Sequence, residues 1–164
     1  MTDDQEQAPV CSGCGGKVDK QQTFCPHCGG LFNETLSCFN HQSEEADGVC
    51  VICRRPYCSD CATWMGQYYL CDQHEEYEIS HGKARILSSS DASAAQMAHT
   101  SLKEAGFHPL LVVRSRTSGP PLERSSTSRQ TGPDLVLVPL GEVLDAEKFL
   151  TGLQAGQKVD GKIT

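Results

Sequence analysis

The chain has 164 residues, a formal net charge of −7 and 38% hydrophobic residues, so any apolar core must be small or divided among modules. All ten cysteines lie between Cys11 and Cys71. This segregation excludes one large uniform domain. It indicates a first half that is stabilised through its cysteines and a second half that folds without them. No apolar run approaches the roughly 18 residues that a membrane-spanning helix needs.

The N-terminus has neither the basic region nor the apolar stretch of a secretory signal, so we expect a cytoplasmic protein. Disulfides are rare in that reducing compartment, which favours metal binding by the cysteines. Charge is uneven: residues 1–35 hold five acids and two bases, and residues 36–82 hold eight acids and two bases. An anionic first half would be repelled by phosphates, which argues against nucleic acid as its partner.

Residues 1–9 are polar and acidic, and we expect them to form a disordered tail. Residues 10–33 contain two Cys-x-x-Cys pairs, namely Cys11, Cys14, Cys25 and Cys28. Two such pairs complete a tetrahedral four-cysteine site, and a glycine with positive φ suits the turn after each pair, at Gly15 and Gly29. This segment resembles a zinc ribbon. His27 could compete with a cysteine for the ion, but the softer Cys₄ set is favoured.

A second cysteine-rich block, residues 36–77, contains four further ligand pairs with the same two-residue gap. The pairs are Cys38 and His41, Cys50 and Cys53, Cys58 and Cys61, and Cys71 and His74. Eight ligands imply two metal ions. The middle pairs are separated by residues 54–57, a length suited to a tight hairpin that carries alternate pairs to opposite ends. This favours interleaved over sequential sites, although the sequence leaves both pairings open.

In the interleaved pairing Cys38, His41, Cys58 and Cys61 bind one ion, and Cys50, Cys53, Cys71 and His74 bind the other. The block resembles a B-box zinc finger, particularly the form seen in bacterial proteins, and that resemblance implies a cross-braced fold. It departs from the animal B-box at its end, where Cys71-x-x-His74 replaces a His-x-x-His pair. With the ribbon, twelve ligands fill three zinc sites and leave no thiol over. We expect each module to fold around its own ligands, independently of the other.

Four aromatic residues of the second block admit two interpretations. They are Phe39, Trp64, Tyr68 and Tyr69. They form either an exposed recognition surface or the small core between the two metals, and the core is favoured in so small a module. Arg54 and Arg55 are expected to be solvated at the tip of a hairpin.

Residues 83–156 predict an α+β domain in the order strand, helix, strand, strand, helix. We expect strands at 83–88, 109–114 and 134–139, a helix at 91–105 capped by Asp91 and Gly106, and a last helix that ends at Gly156. Asp145 is the predicted cap of that helix, Leu144 is expected to staple onto Phe149, and Leu150 and Leu153 are expected to extend its buried face. We expect residues 115–133 to form a flexible loop. This loop is either simply solvated, binds an anion or is phosphorylated, and the first of these is favoured. Residues 157–164 predict a tail.

This βαββα order resembles a family of small bacterial signal-transducing domains, ferredoxin-like and related in fold to PII-like regulators. The resemblance implies regulation without an established ligand. The second and third strands are apolar at every position between 110–113 and 135–138, so both sheet faces require burial. We expect a second copy, hence a possible homodimer, or a zinc module to cover the outer face. His81, His99 and His108 have no predicted role.

These features predict a non-enzymatic, zinc-binding adaptor for protein–protein interaction with a C-terminal regulatory domain. Closed four-ligand sites have no open position for substrate, which disfavours catalytic zinc. The alternative is nucleic-acid binding by the zinc ribbon, for which the first half offers only four basic residues. A more remote alternative is RING-like ubiquitin-ligase activity, because a cross-braced finger is akin to the RING fold, although fold kinship does not carry activity.

Overall fold

A computed structural model describes residues 9–32, 35–114 and 132–157, without the side chains of 155–157. Nearly all of the two predicted tails and of the predicted loop at 115–133 lies outside these residues. The chain divides into two compact units, Met1–Tyr77 and Glu78–Thr164. The predicted boundaries between smaller modules remain predictions.

The first unit is built from short β-strands between turns. Strand β1 (Gly48–Val49) pairs antiparallel with β2 (Pro56–Tyr57), and β3 (Ala62–Met65) pairs antiparallel with β4 (Tyr68–Cys71). The two-residue loop between β3 and β4 begins with Gly66 at φ +63°, as a type II′ turn requires. The expectation of small β-rich modules around cysteine and histidine clusters is thus confirmed.

Backbone hydrogen bonds join the ribbon segment (residues 10–33) to the finger, which is the second cysteine-rich block at residues 36–77. The backbone N–H of Val49 donates to the carbonyl oxygen of Gly29 at 2.8 Å, and the N–H of Tyr69 donates to the carbonyl oxygen of Cys28 at 2.9 Å. Both carbonyls belong to the second Cys-x-x-Cys turn of the ribbon, and both donors belong to β1 and β4. The two modules are therefore in contact, because buried backbone groups of one have their partners on the other, and independent folding of each module stays a prediction.

The second unit contains a four-stranded antiparallel sheet and two helices. In chain order the elements are β5 (Ile79–Ser80), β6 (Lys83–Ser89), α1 (Ala92–Glu104), β7 (Leu110–Val112), β8 (Asp134–Pro139), a 3₁₀ turn (Leu140–Glu142) and α2 (Val143–Gln157). The spatial order of strands is β5-β6-β8-β7. The predicted succession of strand, helix, strand, strand and helix is present, and β5 precedes it as an additional edge strand.

The ends of the helices follow the sequence only in part. Asp91 caps α1 as predicted, since its carboxylate accepts from the N–H of Ser93 at 2.9 Å, and Gly106 follows with φ +92°. Helix α2 instead begins at Val143, directly from the 3₁₀ turn, so Asp145 lies in its first turn and is not its cap. The predicted cap is wrong because the preceding turn already sets the helical direction.

The side chains of α2 depart from the predicted packing at Leu153, while the predicted staple of Leu144 on Phe149 stays a prediction. Phe149 contacts the ring of Phe107, with centroids 5.8 Å apart. Leu153 is 40% exposed, so the predicted extension of the buried face to this residue is wrong. The buried face of α2 lies at its start, at Val143 and Ala146.

The core of the second unit lies on both sides of β8. Val136 and Val138 share the face that carries Ala84 of β6, and all three are fully buried. Leu135 and Leu137 point to the opposite face and are only 7% and 8% exposed. Both faces of β8 are therefore buried, while coverage by a second copy or by a zinc module remains a prediction. Within the described ranges, no helix has the length and apolarity to cross a membrane.

Candidate metal centres

The four ribbon cysteines converge in the structure. Cys11 Sγ lies 3.8 Å from Cys28 Sγ, and Cys14 Sγ lies 3.6 Å from Cys25 Sγ. A tetrahedral zinc ion with Zn–S bonds of about 2.3 Å separates its sulfur ligands by about 3.8 Å, whereas a disulfide would bring them to about 2.05 Å. The spacing therefore fits a shared metal ion, and all ten cysteines of the chain are free thiols.

The second block forms two sites in the interleaved order. One site joins Cys38, His41, Cys58 and Cys61, and the other joins Cys50, Cys53, Cys71 and His74. In each of the three sites all four ligand atoms lie within 4.8 Å of one another. Strands β1 and β2 carry the turn of Cys50 and Cys53 between them, and so hold it apart from the turn of Cys58 and Cys61 that follows β2. The hairpin thus separates pairs that are neighbours in sequence.

Each histidine presents Nδ1 to the sulfurs of its site. His41 Nδ1 lies 3.4 Å from Cys58 Sγ and 3.5 Å from Cys61 Sγ. His74 Nδ1 lies 3.6 Å from Cys50 Sγ and 3.1 Å from Cys71 Sγ. A tetrahedral zinc ion with Zn–N of about 2.0 Å and Zn–S of about 2.3 Å requires about 3.5 Å between such ligands. Three sites are therefore each suited to hold a metal ion.

The electrostatics of the sites favour a cation. Hydrogen bonding between the Cys50 and Cys53 thiols lowers the pKa of Cys50 to about 4, against the opposing effect of burial, and raises the pKa of Cys53. Burial raises the pKa of Cys25 and of Cys71, so without a cation these buried sulfurs hold their protons. A divalent cation stabilises thiolates in such surroundings, and its binding releases the protons.

Backbone and side-chain amides orient the sulfur ligands. The N–H of Gly13 lies 3.4 Å from Cys11 Sγ, and the N–H of Gly30 lies 3.5 Å from Cys28 Sγ. Gly15 and Gly29 have φ of +71° and +87°, as the sequence predicts for the residue after each pair. Asn40 donates to Cys61 Sγ at 3.4 Å in the finger. Such outer contacts fix ligand geometry and partly neutralise thiolate charge.

His27 lies outside the ribbon site. Its Nε2 lies 3.0 Å from the carbonyl oxygen of Lys17, so it links the two turns of the ribbon. The favoured Cys₄ set is therefore the set that the structure brings together.

Tyr69 lies in the core, the position that the sequence analysis favours for it, and it also makes contacts that the sequence did not predict. It is 1% exposed, its hydroxyl donates to the carbonyl oxygen of Tyr57 at 3.0 Å, and burial raises its pKa to about 12. Its backbone N–H donates to the carbonyl oxygen of Cys28 in the ribbon, and its own carbonyl oxygen accepts from the N–H of Val51, in the turn between Cys50 and Cys53. One residue of β4 thus connects two metal sites, and only its position in a short aromatic strand hinted at this role.

Two of the other three aromatic residues lie at the surface, and Tyr68 is partly buried. Phe39 is 51% and Trp64 48% exposed, so the interpretation of all four as core is wrong for these two. The guanidinium of Arg55 lies 4.3 Å from the ring centroid of Phe39, which shows that this arginine is engaged in a cation–π contact and is not merely solvated.

Comparison of the chain with protein-family models, with curated proteins and with solved structures finds no match. The resemblances to a zinc ribbon, a B-box finger and a bacterial signal-transducing domain accordingly rest on the residues themselves. What the structure adds is three complete sets of four ligands, each suited to one metal ion.

Proposed function

We propose that this protein is a non-enzymatic, zinc-binding adaptor whose finger docks a protein partner and whose second unit regulates that contact. One observation carries the proposal: three sites of four protein ligands each, with ligand atoms within 4.8 Å of one another. Four protein ligands complete the tetrahedral shell of zinc and leave no position for water or substrate. Thiolate-rich sites of this geometry select zinc over hard cations.

The surface of the finger supports docking rather than chemistry. Large apolar side chains stand half exposed there, at Phe39, Trp64 and Met65. Aromatic and methionine side chains are enriched at protein interfaces, where their burial contributes more than that of polar residues. In a module whose core is mainly metal sites, exposed aromatic rings favour an interaction role.

For the second unit we propose a ferredoxin-like regulatory domain. Its support is the chain order β6-α1-β7-β8-α2 together with the spatial order β6-β8-β7, with both helices packed on the sheet. The position of the usual fourth strand at the outer edge of β6 is taken by β5, which precedes the domain's first long strand. The regulatory role is an inference from fold alone.

Affinity purification of the full-length, zinc-loaded chain from its native cell, with mass spectrometry of the retained proteins, tests the adaptor role. Reproducible retention of a protein partner is expected, and its absence would overturn the proposal. Electrophoretic mobility with RNA and DNA at low salt is the companion measurement. A shift that weakens steeply with salt would instead assign the ribbon to nucleic-acid binding.

A further inference from the structure

The outer edge of β3 has no strand partner among the described residues. On the far side of β4, the N–H and C=O of Tyr69 bond to Cys28 and Val51. Trp64 stands opposite Tyr69 in the hairpin, so its own N–H and C=O point the other way, out of the sheet. Along an antiparallel pair, residues bond alternately to the partner strand and away from it. The 3.2 Å bond from Asp72 N–H to Cys61 C=O fits this alternation. The backbone groups of Trp64 therefore face an open edge.

The side chains of β3 do not protect this edge. Its residues are alanine, threonine, tryptophan and methionine, of which the last three are exposed. Trp64 and Met65 are each 48% exposed, and the ring of Trp64 is held against Tyr69 at a centroid distance of 5.1 Å. Exposed edge strands usually carry a lysine or a proline that blocks pairing, and β3 has neither. The edge is thus suited to accept another strand.

Negative charge lies at the start of β3. A cleft of about 160 Å³ is lined by the carboxylate residues Asp60, Asp72 and Glu75, beside Thr63 of the strand. Residues 36–82 carry eight acidic and only two basic residues. Bound zinc would not reverse this sign, because three thiolates outweigh the charge of one divalent ion in each Cys₃His site. A partner that approaches this end of β3 is therefore selected for positive charge.

We propose that β3 accepts an extended segment of a protein partner as a third strand, with basic side chains at Asp60, Asp72 and Glu75 on the face of Thr63 and Met65, and apolar side chains on the opposite face, against Trp64. The proposal rests on the adaptor function and names its docking surface and the chemistry of its partner. Main-chain hydrogen bonds at a sheet edge contribute affinity, and the flanking side chains contribute specificity. The acidic first unit of a second copy lacks the complementary charge.

The first experiment titrates the full-length, zinc-loaded protein with a labelled ten-residue peptide of alternating lysine and valine. The control peptide has glutamate at every lysine position. We expect the lysine peptide to bind at least tenfold more tightly at low salt, with a difference that shrinks as salt screens the carboxylates. Equal binding of the two peptides would overturn the proposal.

Amide hydrogen exchange distinguishes strand pairing from a simple side-chain contact, because only strand pairing would slow the exchange of backbone amides in β3. The N–H of Trp64 faces outward and should exchange quickly in the free protein, then slowly when the lysine peptide is bound. The N–H of Tyr69 is already bonded and should not change. Unchanged exchange at Trp64 in the presence of bound peptide would refute pairing at this edge.

Met65→Lys adds a positive charge to the edge and should weaken binding of the lysine peptide at least tenfold. The matched control is Met97→Lys on α1, because Met97 is also exposed, at 61%, and lies in the other unit. Elemental analysis must find equal zinc in both variants. Equal affinity of the two variants contradicts the proposal, and so does a dimer of the wild type that Met65→Lys dissociates, since the edge would then belong to a second copy.

Affinity purification with the same two variants separates the two proposals. Retention of a partner by wild type and Met97→Lys but not by Met65→Lys supports both. A partner retained by all three proteins leaves the adaptor function standing and overturns the β3 surface. If the wild type retains no protein, the adaptor function fails, and the peptide titration still decides whether β3 accepts a strand.

Discussion

Gly29→Ala should disrupt the backbone hydrogen bonding between the ribbon and the finger. Gly29 has φ +87°, and a Cβ at this position would overlap the carbonyl oxygen of Val49 and lie 2.9 Å from the Cβ of Tyr69. Neither neighbour can move freely, since one is backbone and the other belongs to a buried side chain. The second ribbon turn must therefore shift away from β1 and β4.

The expected magnitude has two parts. An alanine with left-handed backbone costs about 1 kcal/mol relative to glycine. Displacement of the turn also breaks the 2.8 Å bond from Val49 N–H to Gly29 C=O, which contributes about 1 kcal/mol and leaves buried groups unpaired at a similar cost. We expect a total of about 3 kcal/mol, or a fall in Tm of about 15 °C for a unit of this size.

Gly15→Ala is the matched control. Gly15 occupies the equivalent place in the first ribbon turn, with φ +71°, but a Cβ there would have no atom within 4 Å. Only the backbone strain of about 1 kcal/mol applies, so its Tm should fall by about 5 °C. Thermal unfolding of both variants in excess zinc, followed by circular dichroism, measures the difference. Equal shifts for the two glycines would refute the docking of ribbon on finger.

Further predictions concern the metals and the second unit. Elemental analysis should find three zinc ions per chain, and a value of one or none would contradict the ligand sets. Cys58→Ser should leave at most two zinc ions per chain. A chelator should then remove the ribbon ion faster than it does from the wild type, because the finger supports the ribbon. An unchanged rate of removal would argue against that support. Residues 78–164 alone should keep their helical circular dichroism in chelator, and an unstructured fragment would show that the domain boundary is misplaced. Within that fragment Glu142→Gln should cost about 1 kcal/mol in denaturant unfolding, since the carboxylate accepts from both the N–H and the ring of His108, at 2.8 and 2.7 Å, and an unchanged midpoint would assign this pair no stability.

The metal sites were accessible to sequence reasoning because their chemistry dictates spacing. A pair of ligands two residues apart can bind one ion from a single turn, and four ligands close a site, so counting ligands left no cysteine unassigned. The choice between interleaved and sequential sites needed a hairpin, which the structure forms between β1 and β2 with residues 50–55 as its loop, whereas the expected turn lay at residues 54–57. Likewise Asp91 signals its helix start through a bond to its own neighbour, Ser93.

The docking of the ribbon on the finger had no comparable signal. It is made by backbone N–H and C=O groups, which every residue carries, so the pairing of Gly29 with Val49 cannot be inferred from side-chain identity. The exposure of Trp64 was also hidden, because an aromatic residue in a short strand fits a core as well as a surface. The false cap at Asp145 arose because a 3₁₀ turn of ordinary residues can start a helix without a capping side chain.

The ribbon leaves the ribosome before the finger residues that contact it have been synthesised. Its four cysteines are complete once Cys28 has been made, and they are then able to take up their ion. The carbonyl groups of that last turn find their partners only after Val49 and Tyr69 have followed. Until then a ribbon that has taken up its ion lacks the hydrogen bonds to the finger that the finished protein provides. Competing thiols or chelators in the cell can remove the ion most easily at this stage.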